Sequence, residues 1–430
     1  MALLRLAFQA LVTRWKRYLF LALGLSLGFA LMLLLTGLAG GMRGNVTAAA
    51  ARHYGGDLFV LGHQKNPYYT PVIRDDAAIL AALRAAGIEP SLVARRTNFF
   101  ENGQVFFNGY SSRQKTVTGI DWEAEAAVFA GLEFASGGFE GMRGSNGILI
   151  SNVTAKQLGA RVGDDVVLEV DTVTGQRNTA SMIVKGVFKD ASIFGAYTSY
   201  VDIKLLTALI GLAPGEYTTF GIYLRDPGAA RRESSRLHEA LAGSLQIFPP
   251  LRSQQELWVR LGEDWSGVKY AVLTLDGYLA EIRDLTSALD AGLVLLLAMM
   301  LAVIALGIGN TYRVMVHERV REFGTLRAIG MQRSRVSRLI LAEALILGVV
   351  CVAAGSLAGL SLLYATGSVR FVQVPGFDIF LQKGRLGWHF SLGVFVVNAV
   401  AVLAAVLLGG WIPARRASAV EPARALRRDA

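Results

Sequence analysis

Four long runs without an Asp, Glu, Lys or Arg constrain this chain more than any other feature: Tyr18–Met42, Ala291–Tyr312, Ala344–Val369 and 386–414. An α-helix needs about 20 residues to cross the hydrocarbon core of a bilayer, so each run suffices for one span. A 53% apolar composition agrees with a membrane protein. The net charge of +10 is distributed in one direction. Residues 43–290 hold 24 Lys and Arg against 27 Asp and Glu, so the positive excess lies in the short segments that flank the runs. Arg5, Arg14, Lys16 and Arg17 precede the first, and Arg415, Arg416, Arg424, Arg427 and Arg428 follow the last. Arginine-rich short segments stay on the cytoplasmic side. Both termini and the 313–343 loop are therefore predicted inside, and 43–290 outside. This pattern excludes nucleic-acid binding as the reason for the positive charge.

The predicted organisation is a cytoplasmic interfacial helix over 1–17, spans over 18–42, 291–312, 344–369 and 389–412, an extracytoplasmic α/β domain over 43–290, a cytoplasmic loop over 313–343, an outer loop over 370–388 and a cytoplasmic tail over 413–430. Leu4, Phe8, Leu11, Val12 and Trp15 share one helical face, which suits a helix lying at the interface. The apolar run behind it exceeds a signal-peptide core, so a retained anchor is expected. Gly24 and Gly28 in the first span, and Gly355 and Gly359 in the third, have the G-x-x-x-G spacing that lets helices approach closely. Pro375-Gly376 is read as a turn of the outer loop.

The 43–290 region reads as mixed α and β. Asp57–Leu61, Gly147–Ile150, Asp165–Val170 and Ser181–Phe188 are strand candidates. Residues 75–86 and 153–158 have helical patterns. Asn102-Gly103 and Asn108-Gly109 are hairpin signals within 97–120. The 3–4 spacing of Leu257, Leu261, Trp265, Val268 and Val272 predicts one long helix over about 253–290, a stalk, against which Gly262, Gly267 and Gly277 argue for breaks. Cys351 is the single cysteine, so no intrachain disulfide supports the domain.

The 313–343 loop carries seven arginines against three glutamates. Val320, Phe323, Leu326 and Ile329 recur on roughly one helical face, and Gly330 suits a helix stop. The block from Glu318 to Gly330, ERVREFGTLRAIG, resembles the E-R-x-R-E-I-G-x-L-R-A-I-G element of ABC transporter permeases of the MacB/FtsX/LolC-LolE (type VII, mechanotransmission) superfamily. Ala342-Glu343-Ala344-Leu345 is similar to the family's opening of the next span, and Phe323 stands where Ile is usual. Gly119–Glu125 resembles the G-I-D-P-E-x-E element of lipoprotein-releasing permeases, with Trp122 in place of Pro. Gly147–Ile150 through Val162–Val166 resembles a further block of the superfamily, and Pro413–Ala417 with Glu421–Arg427 resembles its closing pattern.

The resemblance implies an α-helical four-span membrane domain with a large mixed α/β extracytoplasmic domain between the first and second spans. It implies a permease subunit of the bacterial inner membrane, driven by a separate cytoplasmic ABC ATPase subunit that binds the ATP and Mg. The chain itself shows no G-x-x-x-x-G-K-[ST] loop and no metal-ligand spacing, so it is expected to be non-catalytic and to hold no cofactor. The ATPase would dock on the helix after the second span. Phe323, Leu326 and Ile329 would supply the apolar part of the contact, and Glu318, Arg321, Glu322 and Arg327 its charged rim. A solvated or headgroup-facing role is the plainer alternative for any one of these charges. Two ATPase subunits need two docking helices, which implies a second permease copy or paralogue. The implied work is extraction of a lipoprotein or another amphipathic substrate from the outer leaflet. MacB-like efflux of small molecules or peptides, and FtsX-like signalling to a cell-wall hydrolase, are the alternatives.

Overall fold

The computed structural model describes residues 2–13, 15–190, 194–369, 381–382 and 385–419. The chain divides into two units: residues 1–44, 286–372 and 384–430, and residues 45–285 with 373–383.

In the first unit a short helix, Ala2–Thr13, precedes four helices long and apolar enough to cross a membrane: Trp15–Tyr54, the Asp290–Glu318 part of helix Ala280–Glu318, Arg333–Ser368 and Leu392–Ser418. Their shared core includes Leu25, Phe29 and Met32 of the first span, Ile304 and Ile308 of the second, Ile340, Leu347 and Cys351 of the third, and Val402 and Val406 of the fourth. The outward residues are as apolar as the inward ones. Phe20 is 90% exposed and Leu306 74% exposed, an arrangement that suits hydrocarbon around the bundle rather than water. The first helix runs 40 residues, about 60 Å at 1.5 Å per residue, roughly twice the thickness of the hydrocarbon core.

Close packing among the spans depends on small residues. A Cβ on Gly355 would lie 3.1 Å from Phe29 Cβ, and one on Gly359 would lie 3.0 Å from Leu33 Cδ2. Both glycines of the third span thus face the first. Gly28 faces Ile304 Cδ1, 3.2 Å from its would-be Cβ. Gly24, predicted to pack with it, has nothing within 4 Å. It shares a face with Gly28, four residues on, but no neighbour among the described residues reaches its level. The second and fourth spans meet backbone to backbone, where a Cβ on Gly409 would lie 3.2 Å from Ala305 Cα and one on Gly309 would lie 3.2 Å from Gly409 O. No G-x-x-x-G pair announces that contact. Asn398 Nδ2 donates to Thr36 Oγ1 at 3.3 Å between the fourth and first spans. The fourth helix does not end before Pro413, where the tail was expected to begin. It continues to Ser418, with Pro413, Ala414 and Ala417 buried. A proline is tolerated there because neighbouring helices pack around it. The expected Pro375-Gly376 turn and the Glu421–Arg427 pattern lie outside the described residues.

The second unit is built on ten strands: β1 (Leu58–Gln64), β2 (Pro90–Phe107), β3 (Tyr110–Ile120), β4 (Phe134–Gly137), β5 (Gly147–Ser151), β6 (Asp165–Asp171), β7 (Arg177–Phe188), β8 (Thr198–Asp202), β9 (Thr219–Leu224) and β10 (Val268–Thr274). They pair in the order β10-β1-β9-β2-β3-β8-β5-β7-β4, and β6 pairs with both β2 and β7. The path β2-β3-β8-β5-β7-β6 therefore returns to β2 and closes a six-stranded barrel. Alternating residues fill it: Val105 from β2, Val117 from β3, Ile148 and Ile150 from β5, Val166, Leu168 and Val170 from β6, and Met182 and Val184 from β7. Strands β9, β1 and β10 extend the sheet beyond β2. Helices Asp76–Ala85 and Ala230–Ala242 share a second core with this extension through Ile79, Leu83, Leu237, Leu241, Val60 and Phe220.

Several local expectations hold for stated reasons. Asn108 and Gly109 take φ of 48° and 83°, the two positive values that a tight hairpin between β2 and β3 requires. Helix Asn152–Leu158 begins on a Ser151 side chain that accepts from Thr154 N, and it ends on left-handed Gly159. Two expectations fail. Asn102-Gly103 is no hairpin turn: β2 runs through it with a register shift between Phe100 and Gly103, and Gly103 pairs with Gln114. The 253–290 stalk is not one helix. Gln254–Arg260 is a short helix, Gly267 takes φ of +76°, and β10 then pairs with β1 along seven residues, from Leu58 opposite Thr274 to Gln64 opposite Val268. The spacing of Trp265, Val268 and Val272 mimicked a helix, but strand pairing claims Val268 and Val272 before the Ala280 helix starts.

One consequence is a pH dependence. His63 of β1 is buried, and its Nδ1 has no hydrogen-bond partner among the described residues. Burial pulls its pKa from 6.5 down to about 4. Below pH 6.5 the unfolded chain takes up a proton that the fold refuses, so stability falls as pH drops from 6.5 to about 4 and levels off below that. The expected loss is roughly 3 kcal/mol. Unfolding followed by tryptophan fluorescence at pH 7 and pH 4.5 measures it. His63→Leu should shrink the difference between the two pH values, and an unchanged difference would assign the acid sensitivity elsewhere.

Candidate coupling site

The second spanning helix ends at Glu318, and the chain turns at Arg319, which has φ −106° and ψ 13°. A nine-residue helix, Val320–Ala328, follows. It stops where predicted: Gly330 takes φ of +99°, its N donates to Arg327 O at 3.1 Å, and Met331 N donates to Leu326 O at 3.0 Å. These bonds close the last turn, and glycine takes that left-handed conformation without strain. Gln332 is extended, and the third spanning helix starts at Arg333.

The predicted apolar stripe splits into two. Phe323 is 1% exposed and sits in the core of the bundle with Tyr312, Val316, Val336 and Ala414. Leu326 packs partly against the same core. These two belong to the permease's own interior. Ile329 is 82% exposed. The outward face is Arg321, Thr325, Ala328 and Ile329, all exposed, at the i, i+4, i+7, i+8 spacing of one helical face.

Polar contacts fasten this helix to the third span and the fourth helix, and the first span joins the same cluster through Glu343. Arg319 Nη1 donates to Glu343 Oε2 of the third span at 2.8 Å, and Arg319 Nε donates to Glu322 Oε2 at 3.0 Å. Tyr18 of the first span donates to the same Glu343 oxygen at 3.3 Å. The Glu343 side chain is 1% exposed and that of Arg319 is 11% exposed. The Arg319 guanidinium also lies over the Phe323 ring, 5.0 Å from its centroid. Arg327 Nη1 donates to Ser418 O at the end of the fourth helix at 3.4 Å. Glu318 pairs with Arg17 at the start of the first span, with both side chains about half exposed. Glu318, Glu322 and Arg327 make these contacts within the chain, and the Arg321 side chain is exposed. Glu343 Oε1 and the Tyr312 hydroxyl are buried without a hydrogen-bond partner among the described residues. The Arg319–Glu343–Tyr18 cluster was missed as a unit. Its one sequence signal is an acid placed where the third run turns apolar.

A buried ion pair of this kind fixes one arrangement, because breaking it leaves a charge uncompensated. The Val320–Ala328 helix is thereby held to the third and fourth spans.

Two family models cover most of the chain. One, the MacB-like periplasmic core domain, matches residues 19–236, and the other, the FtsX-like permease C-terminal region, matches residues 294–422. This chain belongs to the MacB/FtsX family of ABC transporter permeases. The FtsX-like match takes in the Val320–Ala328 helix, Arg319 and Glu343. In a MacB/FtsX permease four apolar helices carry an α/β domain between the first and the rest, and that is the architecture found. It is a multi-pass membrane protein.

The chain is 32% identical over 160 residues to a "probable export ATP-binding/permease protein" of Pseudomonas fluorescens, covering 36% of this chain and 22% of that one. It is 30% identical over 182 residues to the macrolide export ATP-binding/permease protein MacB of Escherichia coli, covering 42% of this chain and 26% of that one. The matched part thus spans about a quarter of the length of these relatives. The periplasmic region of MacB from Actinobacillus actinomycetemcomitans aligns at 12% identity and a TM-score of 0.32, over 54% of this chain and 95% of that one.

Proposed function

We propose that this permease converts ATP hydrolysis by a separate cytoplasmic ATPase subunit into movement of its inserted α/β domain. The observation that carries the reading is the coupling helix. Its outward face of Arg321, Thr325, Ala328 and Ile329 is exposed. Its inward side is locked to the bundle by Phe323, Arg319 with Glu343, and Arg327 with Ser418. ATP and Mg belong to the partner, since this sequence contains no phosphate-binding loop. The chain itself is then non-catalytic. Both termini and the coupling helix face the ATPase in a bacterial inner membrane, and the inserted domain faces the far side, as the arginine distribution supports. Two ATPase subunits act on two coupling helices, so the working unit holds a second permease copy or a paralogue.

The substrate in this reading is a lipoprotein or another amphipathic molecule taken from the outer leaflet. The Gly119–Glu125 element supports it. The macrolide-export names of the relatives support a second reading, efflux of small molecules or peptides.

Purification of the tagged permease from its native membranes tests both. A copurifying ATPase is expected, with ATP turnover in nanodiscs that is absent from the permease alone. Stimulation by acylated lipoprotein and not by macrolide supports the first substrate, and the reverse supports the second. Specific ATP turnover by the isolated permease, or the absence of any ATPase partner, would defeat the reading.

A further inference from the structure

The carboxyl end of the first spanning helix, residues 45–54, falls within the second unit. The last four carbonyls of a helix have no partner inside it. Here Arg96 of β2 supplies partners. Its Nη1 donates to Arg52 O at 2.7 Å and to His53 O at 2.9 Å. Its Nε lies 3.0 Å from both oxygens of Glu125, and its Nη2 donates to Glu125 Oε2. Both side chains are completely buried. Tyr223 of β9 donates to the carbonyl of Ala51 at 3.2 Å.

The bend beyond the helix is shaped around this guanidinium. Gly55 and Gly56 take φ of +97° and +147°, and their amides both return to Ala51 O, at 2.8 and 2.9 Å. A Cβ on Gly55 would lie 2.9 Å from Arg96 Cδ and Nε. A buried cation at a helix carboxyl terminus complements the helix dipole. The planar guanidinium fork can hold two carbonyls and a carboxylate at once, which an ammonium cannot. Glu125 closes the Gly119–Glu125 element, to which nothing above gives a part in coupling.

We propose that Arg96 and Glu125 are positioning residues for transport: they clasp the end of the first spanning helix to the β2 and β9 strands. Displacement of that helix then moves the sheet instead of being absorbed at the Gly55-Gly56 bend. The transport part rests on the coupling mechanism proposed above, but the clasp itself is testable without it.

The test uses the full chain in lipid nanodiscs and amide hydrogen exchange. In the Arg96→Leu/Glu125→Leu double variant the buried pair gives way to apolar side chains, an exchange that folds tolerate. Arg96→Lys keeps the charge but loses the fork. Amides of residues 51–57 should exchange about tenfold faster or more in both variants, while β5–β8 keep their protection. Unchanged exchange at 51–57 would overturn the clasp. In the complex with the copurified ATPase, ATP should alter exchange in β1, β2 and β9 of the wild type and leave those strands unaltered in the variants. An ATP response of the strands that survives loss of the clasp would also overturn the proposal. A wild type with no ATP response anywhere would sink the coupling mechanism, and the exchange at 51–57 would still decide the clasp.

Discussion

Arg319→Ala is expected to destabilise the membrane bundle by about 3–5 kcal/mol, since it strips a buried carboxylate of its only ionic partner in the described contacts. Among the described residues Glu343 would keep only the Tyr18 hydroxyl at 3.3 Å, with its second oxygen already unpartnered there. Such a variant should lose midpoint temperature in detergent and expose the Val320–Ala328 helix to protease. Glu343→Gln is expected to be milder, because an amide still accepts from Arg319 and removes one buried charge. The Arg319→Met/Glu343→Leu double variant should recover most of the lost stability, since apolar pairs of similar volume replace buried ion pairs with little penalty. If Arg319→Ala proved as stable as the wild type, the cluster would not be holding the coupling helix.

How far these features could be read from the sequence depends on the range over which each is encoded. The spans show because freedom from charge over 20 residues is a local property, and the coupling helix shows because its block and its Gly330 stop are local too. Hairpin chemistry at Asn108-Gly109 shows for the same reason. Pairing at a distance does not show. Arg319 meets Glu343 across a helix break, and Arg96 meets Glu125 from one strand to a segment beyond the next. Neither distance corresponds to any helix or strand period. Periodicity also misleads where a strand and its flanking turns happen to space apolar residues by three and four. Trp265, Val268 and Val272 did so, and only the ladder between β1 and β10 reveals it. Barrel closure is the extreme case, because β6 pairs locally with the next strand, β7, but closes the barrel only by pairing with β2, far back in the chain. Spacing does not say which glycine meets a neighbour: Gly28, Gly355 and Gly359 lie against Ile304, Phe29 and Leu33, and Gly24 has nothing within 4 Å.

The same splitting of faces decides how the ATPase contact should be tested. Leu326 and Ile329 both carried the sequence-based docking surface, yet they now have different surroundings. Leu326→Asp would put a charge against the permease's own core, so a loss of ATPase binding there would be confounded with loss of structure. Ile329→Asp changes a side chain that is 82% exposed in the permease and therefore should leave its stability within about 0.5 kcal/mol of wild type. If Ile329 is the apolar anchor of the docking face, truncating it would cost about 2 kcal/mol or more at the interface, and a buried unpaired carboxylate should cost at least as much. That corresponds to a loss of roughly thirtyfold or more in affinity for the ATPase subunit, since 1.4 kcal/mol is tenfold. Copurification of the ATPase should fall accordingly, while the variant elutes and melts like the wild type. Ile329→Leu should retain binding, which would separate loss of apolar contact from disturbance of the Gly330 turn. Normal copurification and normal substrate-linked turnover in a correctly inserted Ile329→Asp permease would place the docking surface away from the Arg321, Thr325, Ala328 and Ile329 face.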